Sequence, residues 1–351
     1  MQTFKRNTLM AGLALAGLAF ASLPAFAQVV VKIGYSGPLS GGAALYGKNV
    51  LEGMQMAVDE INAAGGVDAG GKKVKLEIVA LDDKYNPSET AINTQRLVQE
   101  SKTPAVLVPH SGGIYAVQTN NERQKLLLLA YSSTPPITAR GNKLTYRIPP
   151  EYTDYMAPFI QYTMGKFGKN VGMAAGDHDY AKLWAKDFKA AWEKAGGKVV
   201  AENPMSYNKS ADFYSGVSKV LAAKPDVMFI GGASEPTGLV IKQAREQGFK
   251  GGFMIIDQAK PEEVAKVAGG YGPMEGSIGV LPVIEDPAPA TKAFVERYRK
   301  THPGKDPSFE VTLNYTAIHV LAQDMKLAGT ATDPTAIRAQ LDKAVKALPA
   351  S

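Results

Sequence analysis

Hydroxyls, glycines and tyrosine rings gather in a few short segments of this chain, 34–47, 109–115, 131–135, 176–181, 231–236 and 257–260. Among the residues there are Tyr46, Ser111, Gly112, Tyr131, Ser132, Ser133, Tyr180 and Asp257. Serine hydroxyls and exposed backbone N–H groups donate to a polar ligand, and tyrosine offers a flat apolar face with a polar tip. Such a mixture suits the grip of a small polar molecule. Each residue also has a plainer reading. The serines are common turn formers, Tyr46 and Tyr180 could simply pack at an interface, and Asp257 could cap the helix that follows it.

Other chemistries find no support. The chain has no cysteine, which removes thiol catalysis, Cys-based zinc sites and iron–sulfur clusters. Its four histidines, His110, His178, His302 and His319, lack metal-ligand spacing, and no metal or cofactor is expected. Ser206 and Lys209 form an isolated S-x-x-K without companion motifs. No G-x-S-x-G, phosphate-binding loop or dinucleotide fingerprint accompanies them. Trp184 and Trp192, eight apart on an expected helix, read as core packing. Lys and Arg alternate with Asp and Glu, as in 182–194, with no dense basic run interleaved with aromatics. Nucleic acid is therefore not an expected partner.

The elements that must position these segments alternate along the chain. Residues 1–27 read as an export signal, with Lys5 and Arg6, an apolar stretch 9–23, and Ala25-Phe26-Ala27 before Gln28. The stretch is short of the ~20 apolar residues that span a bilayer, so cleavage after Ala27 and a periplasmic location are expected. Loss of Lys5 and Arg6 takes the formal net charge from +6 to +4. Strands are expected at 29–33, 74–80, 105–108 and 126–129, then at 171–175, 198–201, 227–230 and 253–256. Helices are expected at 46–64, from Pro87 onward, and near 154–167, 180–195, 212–223, 237–247 and 334–347. The continuous apolar runs suit strands buried on both faces of a parallel sheet. Repeated βα units in two series, separated at Pro149-Pro150, specify an α/β chain of two similar lobes. Ligands of such sheets bind beyond the carboxyl ends of the strands, where the Ser, Gly and Tyr segments fall.

At these loops the chain resembles the periplasmic binding proteins for leucine, isoleucine and valine, type I solute-binding proteins that serve ABC importers. The resemblance is carried by Ser36-Gly37-Pro38-Leu39-Ser40-Gly41 with Tyr46-Gly47, and by Asp82-Asp83 with Asn86-Pro87. It continues through Ser132-Ser133-Thr134-Pro135, Thr138-Ala139-Arg140-Gly141 and Lys242-Gln243-Ala244-Arg245 before Gly248, over about residues 29–325.

The resemblance implies two Rossmann-like lobes joined by a multi-crossing hinge, an N-lobe over 28–148 and a C-lobe over 149–279. Segment 280–330 would return to the N-lobe, and the lobe of the helical 331–351 stays open. Crossings are implied near 146–150 and 276–282; the family's third lies in a strand-rich stretch beyond the last helix, whereas this sequence reaches Ser351 just past the 334–347 pattern. In amino-acid-binding members two N-lobe loops hold the ligand carboxylate. They correspond to Ser111-Gly112 and to Tyr131, Ser132 and Ser133. An acid after a C-lobe strand holds the ammonium, and Asp257 occupies that place. Tyr46 and Tyr180 match tyrosines that wall the cleft. Ala233 replaces a further wall tyrosine, and Phe309 or Glu310 falls near an apolar wall position. Some members carry a disulfide whose positions fall at about Tyr85 and at Pro109 or His110. The implied function is capture of an amino acid, branched-chain or related, in the interlobe cleft by a monomer that delivers it to a membrane permease, without catalysis. Two alternatives share the fold: a binder of an aromatic or other small carboxylate, and a sensory ligand-binding subunit. Asp257 argues against the carboxylate, since a buried acid facing a ligand without a cation is costly.

Overall fold

The computed structural model describes residues 29–348; the expected signal, 1–27, lies outside them. Two sheets carry the chain. The first has strands β1 (Val29–Gly37), β2 (Val67–Asp68), β3 (Lys73–Asp82), β4 (Ala105–Val108), β5 (Leu127–Ala130) and β6 (Thr145–Arg147), in the order β2-β3-β1-β4-β5-β6. All pairings are parallel except the short β2 against β3. The second, wholly parallel, has β7 (Asn170–Ala175), β8 (Lys198–Glu202), β9 (Val227–Gly231) and β10 (Gly252–Ile255), in the order β10-β9-β7-β8. The chain is thus α/β with two lobes. Strand order reverses between β1 and β4 and between β7 and β9, and each reversal opens a crevice at the strands' carboxyl ends.

Local sequence explains the elements. Every residue of β4 and β5 is buried, as continuous apolar runs require. The helix Ala44–Ala63 buries Tyr46, Val50, Met54, Ala57, Val58 and Ile61 at spacings of three and four. The helix Pro87–Ser101 starts at Asn86, whose side chain accepts the N–H of Ser88, with Pro87 in the first turn. In the second lobe Trp184 and Trp192 are fully buried on one face of the helix Asp179–Lys194. Between them on that face, Phe188 stacks on Phe229 with ring centroids 4.3 Å apart.

After β6 the chain passes Pro149 and Pro150 into the helix Thr153–Lys166. It leaves the second sheet near Ile278, which bonds beside β10. The helix Phe309–Ala328, which the sequence pattern did not single out, packs along Ala44–Ala63. The approach is close: a Cβ on Gly53 would stand 2.2 Å from the carbonyl oxygen of Val311, so only glycine fits. The expected 334–347 helix is two, Pro334–Arg338 and Leu341–Ala347. Both lie on the first lobe: Ile337 joins its core and accepts at its carbonyl from the Tyr146 hydroxyl of β6 at 3.4 Å, and Leu341 packs against the same core. No helix of the described residues is long and apolar enough to cross a membrane.

Candidate functional site

The carboxyl ends of the two sheets face each other across a cavity of about 270 Å³. From the first lobe come Tyr46, Tyr131, Ser132 and Ser133; from the second come Tyr180 and Asp257. These are six of the residues expected from the sequence. Tyr46 stands in the first turn of its helix, donates to the carbonyl of Pro109 at 2.6 Å and stacks on Tyr131 at 6.0 Å. Tyr131–Ser133 follow β5 directly, and Asp257 follows β10 by two residues.

The other two expected residues sit elsewhere. Ser111 opens the helix Ser111–Gln118 instead of standing in a loop, and it is fully buried behind the cavity wall. Its hydroxyl bonds Ser132 Oγ at 2.8 Å and Thr134 Oγ1 at 2.6 Å, so it braces the 132–134 turn. Gly112 lines a second, outer cavity of about 650 Å³ between the lobes. A Cβ there would come within 2.7 Å of Asp179 Oδ2, so the absent side chain lets the second lobe approach.

Asp257 does not cap the next helix; Pro261–Ala268 starts at Lys260 with no side-chain cap. Its carboxylate instead accepts three neutral donors. Ser133 Oγ–H reaches Oδ2 at 2.7 Å across the lobes, Trp184 Nε1–H reaches Oδ1 at 3.0 Å, and Tyr180 O–H also donates to Oδ1. Burial raises the Tyr180 phenol well above its ordinary pKa, and the neighbouring Asp257 charge acts the same way, which keeps this donor protonated. Asp257 is only 8% exposed. Among the described residues, no Lys, Arg or His side chain lies within salt-bridge distance of it. On the facing loop, the backbone N–H groups of Ser132 and Ser133 donate to no protein acceptor among the described residues. The site thus sets a buried carboxylate, without a salt-bridge partner among the described residues, opposite two unpaired backbone donors.

Several wall residues escaped the sequence reading. Lys260 lines the cavity; its ammonium donates to the Asp257 carbonyl and pairs across the lobes with Glu310 Oε1 at 3.6 Å. Burial raises the Glu310 pKa despite that cation. Phe309 lines the cavity and Glu310 lies behind it, so the wall position left open between them belongs to Phe309. Tyr155, Gln258, Val280 and Leu313 complete much of the remaining wall. Ala233, which the resemblance set in place of a wall tyrosine, is buried against first-lobe core residues and does not line the cavity. Where some members of the resembled family have a disulfide, Tyr85 and His110 stack with centroids 4.5 Å apart. Trp184 is a core residue, as its spacing suggested, and its indole N–H also orients Asp257.

A family model described as periplasmic binding protein matches residues 30–349. An amino acid binding protein of Pseudomonas aeruginosa is 30% identical over 326 residues, 92% of this chain and 85% of that one. A leucine-, isoleucine-, valine-, threonine- and alanine-binding protein of the same organism is 28% identical, over 95% of this chain and 86% of its own length. Among solved structures, the branched-chain amino acid transporter substrate binding protein LivJ of Streptococcus pneumoniae, in complex with isoleucine, superposes with a TM-score of 0.75. It is 28% identical, covering 89% of this chain and 88% of that one.

Proposed function

Because the chain belongs to the periplasmic binding protein family, we propose that it captures an α-amino acid with an apolar side chain in the interlobe cavity. The observation that carries this reading is Asp257, a buried carboxylate held by three neutral donors and in salt-bridge distance of no cation among the described residues. A ligand ammonium completes it. The ligand carboxylate takes the N–H groups of Ser132 and Ser133, and the Ser133 hydroxyl as the ammonium displaces it from Asp257, gaining charge-assisted bonds, and the tyrosine-lined remainder takes the side chain. The holder then delivers the amino acid to an ABC transporter permease. It works as a monomer outside the inner membrane, after export and cleavage behind Ala27, and does no chemistry on its ligand.

One observation favours a different ligand in the same fold. Lys260 lines the cavity, so an aromatic or other small carboxylate could draw its ammonium from Glu310. The test compares leucine, phenylalanine and their deaminated analogues by thermal shift on the protein from Gln28 onward. A ligand at 100 times its Kd adds about 2.7 kcal/mol to the native state. At about 2–4 °C per kcal/mol for lobes of this size, the melting temperature rises by several degrees. We expect the rise only with the α-amino acids. A rise with the deaminated acids alone transfers the site to the carboxylate reading.

A further inference from the structure

Two residues, Tyr85 and His110, are common to the walls of the inner cavity (about 270 Å³) and the outer one (about 650 Å³). Their rings stack at 4.5 Å with planes 23° apart, and His178 meets Tyr85 edge-on at 5.1 Å. We propose that Tyr85 is a specificity-determining residue: its ring is the partition that ends the ligand cavity and sets how long a bound side chain can be. This rests on the amino-acid reading for the ligand's orientation, though not for the partition itself.

The wall is built rather than incidental. Asp83, fully buried, holds both halves of it. Its Oδ1 accepts the N–H of Tyr85 at 2.9 Å, and its Oδ2 accepts from His110 Nε2 at 3.0 Å. The His110 proton sits on Nε2 because Nδ1 accepts the N–H of Gly113 at 3.0 Å. Lys84 and Tyr85 have φ of 53° and 61°. Two successive side-chain-bearing residues in the left-handed region are uncommon and persist only where surroundings enforce them. From the other lobe, Gln258 Nε2–H donates to the Tyr85 hydroxyl at 2.9 Å, so the partition is locked as the lobes meet. A straight side chain growing toward the cleft mouth therefore ends against this ring. Beyond it lies a larger space bounded by polar residues such as Ser40, Glu89 and Lys209.

Tyr85→Gly removes the ring and suits the positive φ, so it joins the two spaces without a folding penalty from the backbone. Calorimetry would use L-norvaline, L-norleucine and L-2-aminooctanoate, with the matching alkanoates in parallel, on folded parent and variants checked by circular dichroism. The parent is expected to lose affinity sharply at the eight-carbon acid. In Tyr85→Gly the ratio of affinities for the eight- and five-carbon ligands should rise at least tenfold. Tyr85→Phe keeps the wall and loses the Gln258 bond, so it should weaken all members alike and leave the ratio unchanged. An unchanged ratio in Tyr85→Gly overturns the partition. A parent that binds alkanoates and not amino acids overturns the ammonium reading instead, and the length cut-off is then read in the alkanoate series.

Discussion

Asp257→Asn tests the chemistry of the cleft most directly. The substitution removes one negative charge and keeps the shape. An ammonium about 4 Å from a carboxylate in surroundings of effective dielectric about 20 gains ~4 kcal/mol of attraction. Breaking one partner of such a desolvated pair costs about 2–5 kcal/mol of binding. The dissociation constant of the best α-amino acid should therefore weaken by roughly 30-fold or more. Folding should survive, because the amide oxygen can still accept from Trp184 and Tyr180. The amide N–H can donate to Ser133, whose hydroxyl turns to make room. Isothermal calorimetry gives the affinity and a melting curve without ligand gives the stability. Equal affinity with an unchanged melting temperature would mean that Asp257 only organises its three donors and that the ligand need not carry an amine.

Three further outcomes are expected. Ser133→Ala should weaken amino-acid binding less than Asp257→Asn in the same calorimetry, since the backbone N–H groups of Ser132 and Ser133 remain; a larger loss would make this hydroxyl the main anchor. Gly53→Ala forces a methyl against the Val311 carbonyl and should destabilise the first lobe by about 1–3 kcal/mol in urea titration, with no change if the two helices can separate freely. Burial lowers the His178 pKa to about 3 from 6.5, aided by His110 and Lys182 nearby, and its Nε2 has no partner among the described residues. Between those values the unfolded chain binds a proton that the folded one refuses, so stability falls as pH drops through 6.5. The residue should cost about 1–2 kcal/mol at pH 5 relative to pH 7, a difference that urea titrations of His178→Gln should lack.

What the sequence revealed follows the range of the forces involved. The apolar runs 105–108 and 227–230 announce buried parallel strands because burial is decided locally. Once strands are placed, the loops at their carboxyl ends follow, and with them Tyr131, Ser132, Ser133, Tyr180 and Asp257. Side-chain direction does not follow. Ser111 and Ser132 have the same composition signal, yet one turns behind the wall and the other lines it, because the Ser111–Thr134 bond joins the start of a helix to a turn 23 residues away. Gly112 read as a donor of backbone N–H, whereas its small size serves the approach of Asp179. The helix Phe309–Ala328 is hard to see in the sequence because its buried face carries polar residues, Glu310, Asn314 and Asp324, so no cleanly apolar stripe marks it.

The contacts that cross the cleft share a property that makes them invisible to local patterns and decisive for recognition. Ser133 meets Asp257 across 124 residues, and Tyr85 meets Gln258 across 173; Lys260 meets Glu310 from the far side of the second crossing. Each joins a first-lobe group to a second-lobe group at the cavity, so the lobes close on their own polar atoms. A ligand that enters must replace those bonds with better ones, because it shifts the lobes toward closure only by as much as it binds the closed form more tightly. A neutral molecule offers Asp257 nothing stronger than the hydroxyls already there. A zwitterion offers a cation to the carboxylate and an anion to the opposite N–H groups at once, leaving each lobe better paired in the complex than alone. On the proposed function, selectivity for the charge pattern rests on Asp257 and the 132–133 turn, and on the proposed partition, selectivity for side-chain length rests on the ring of Tyr85.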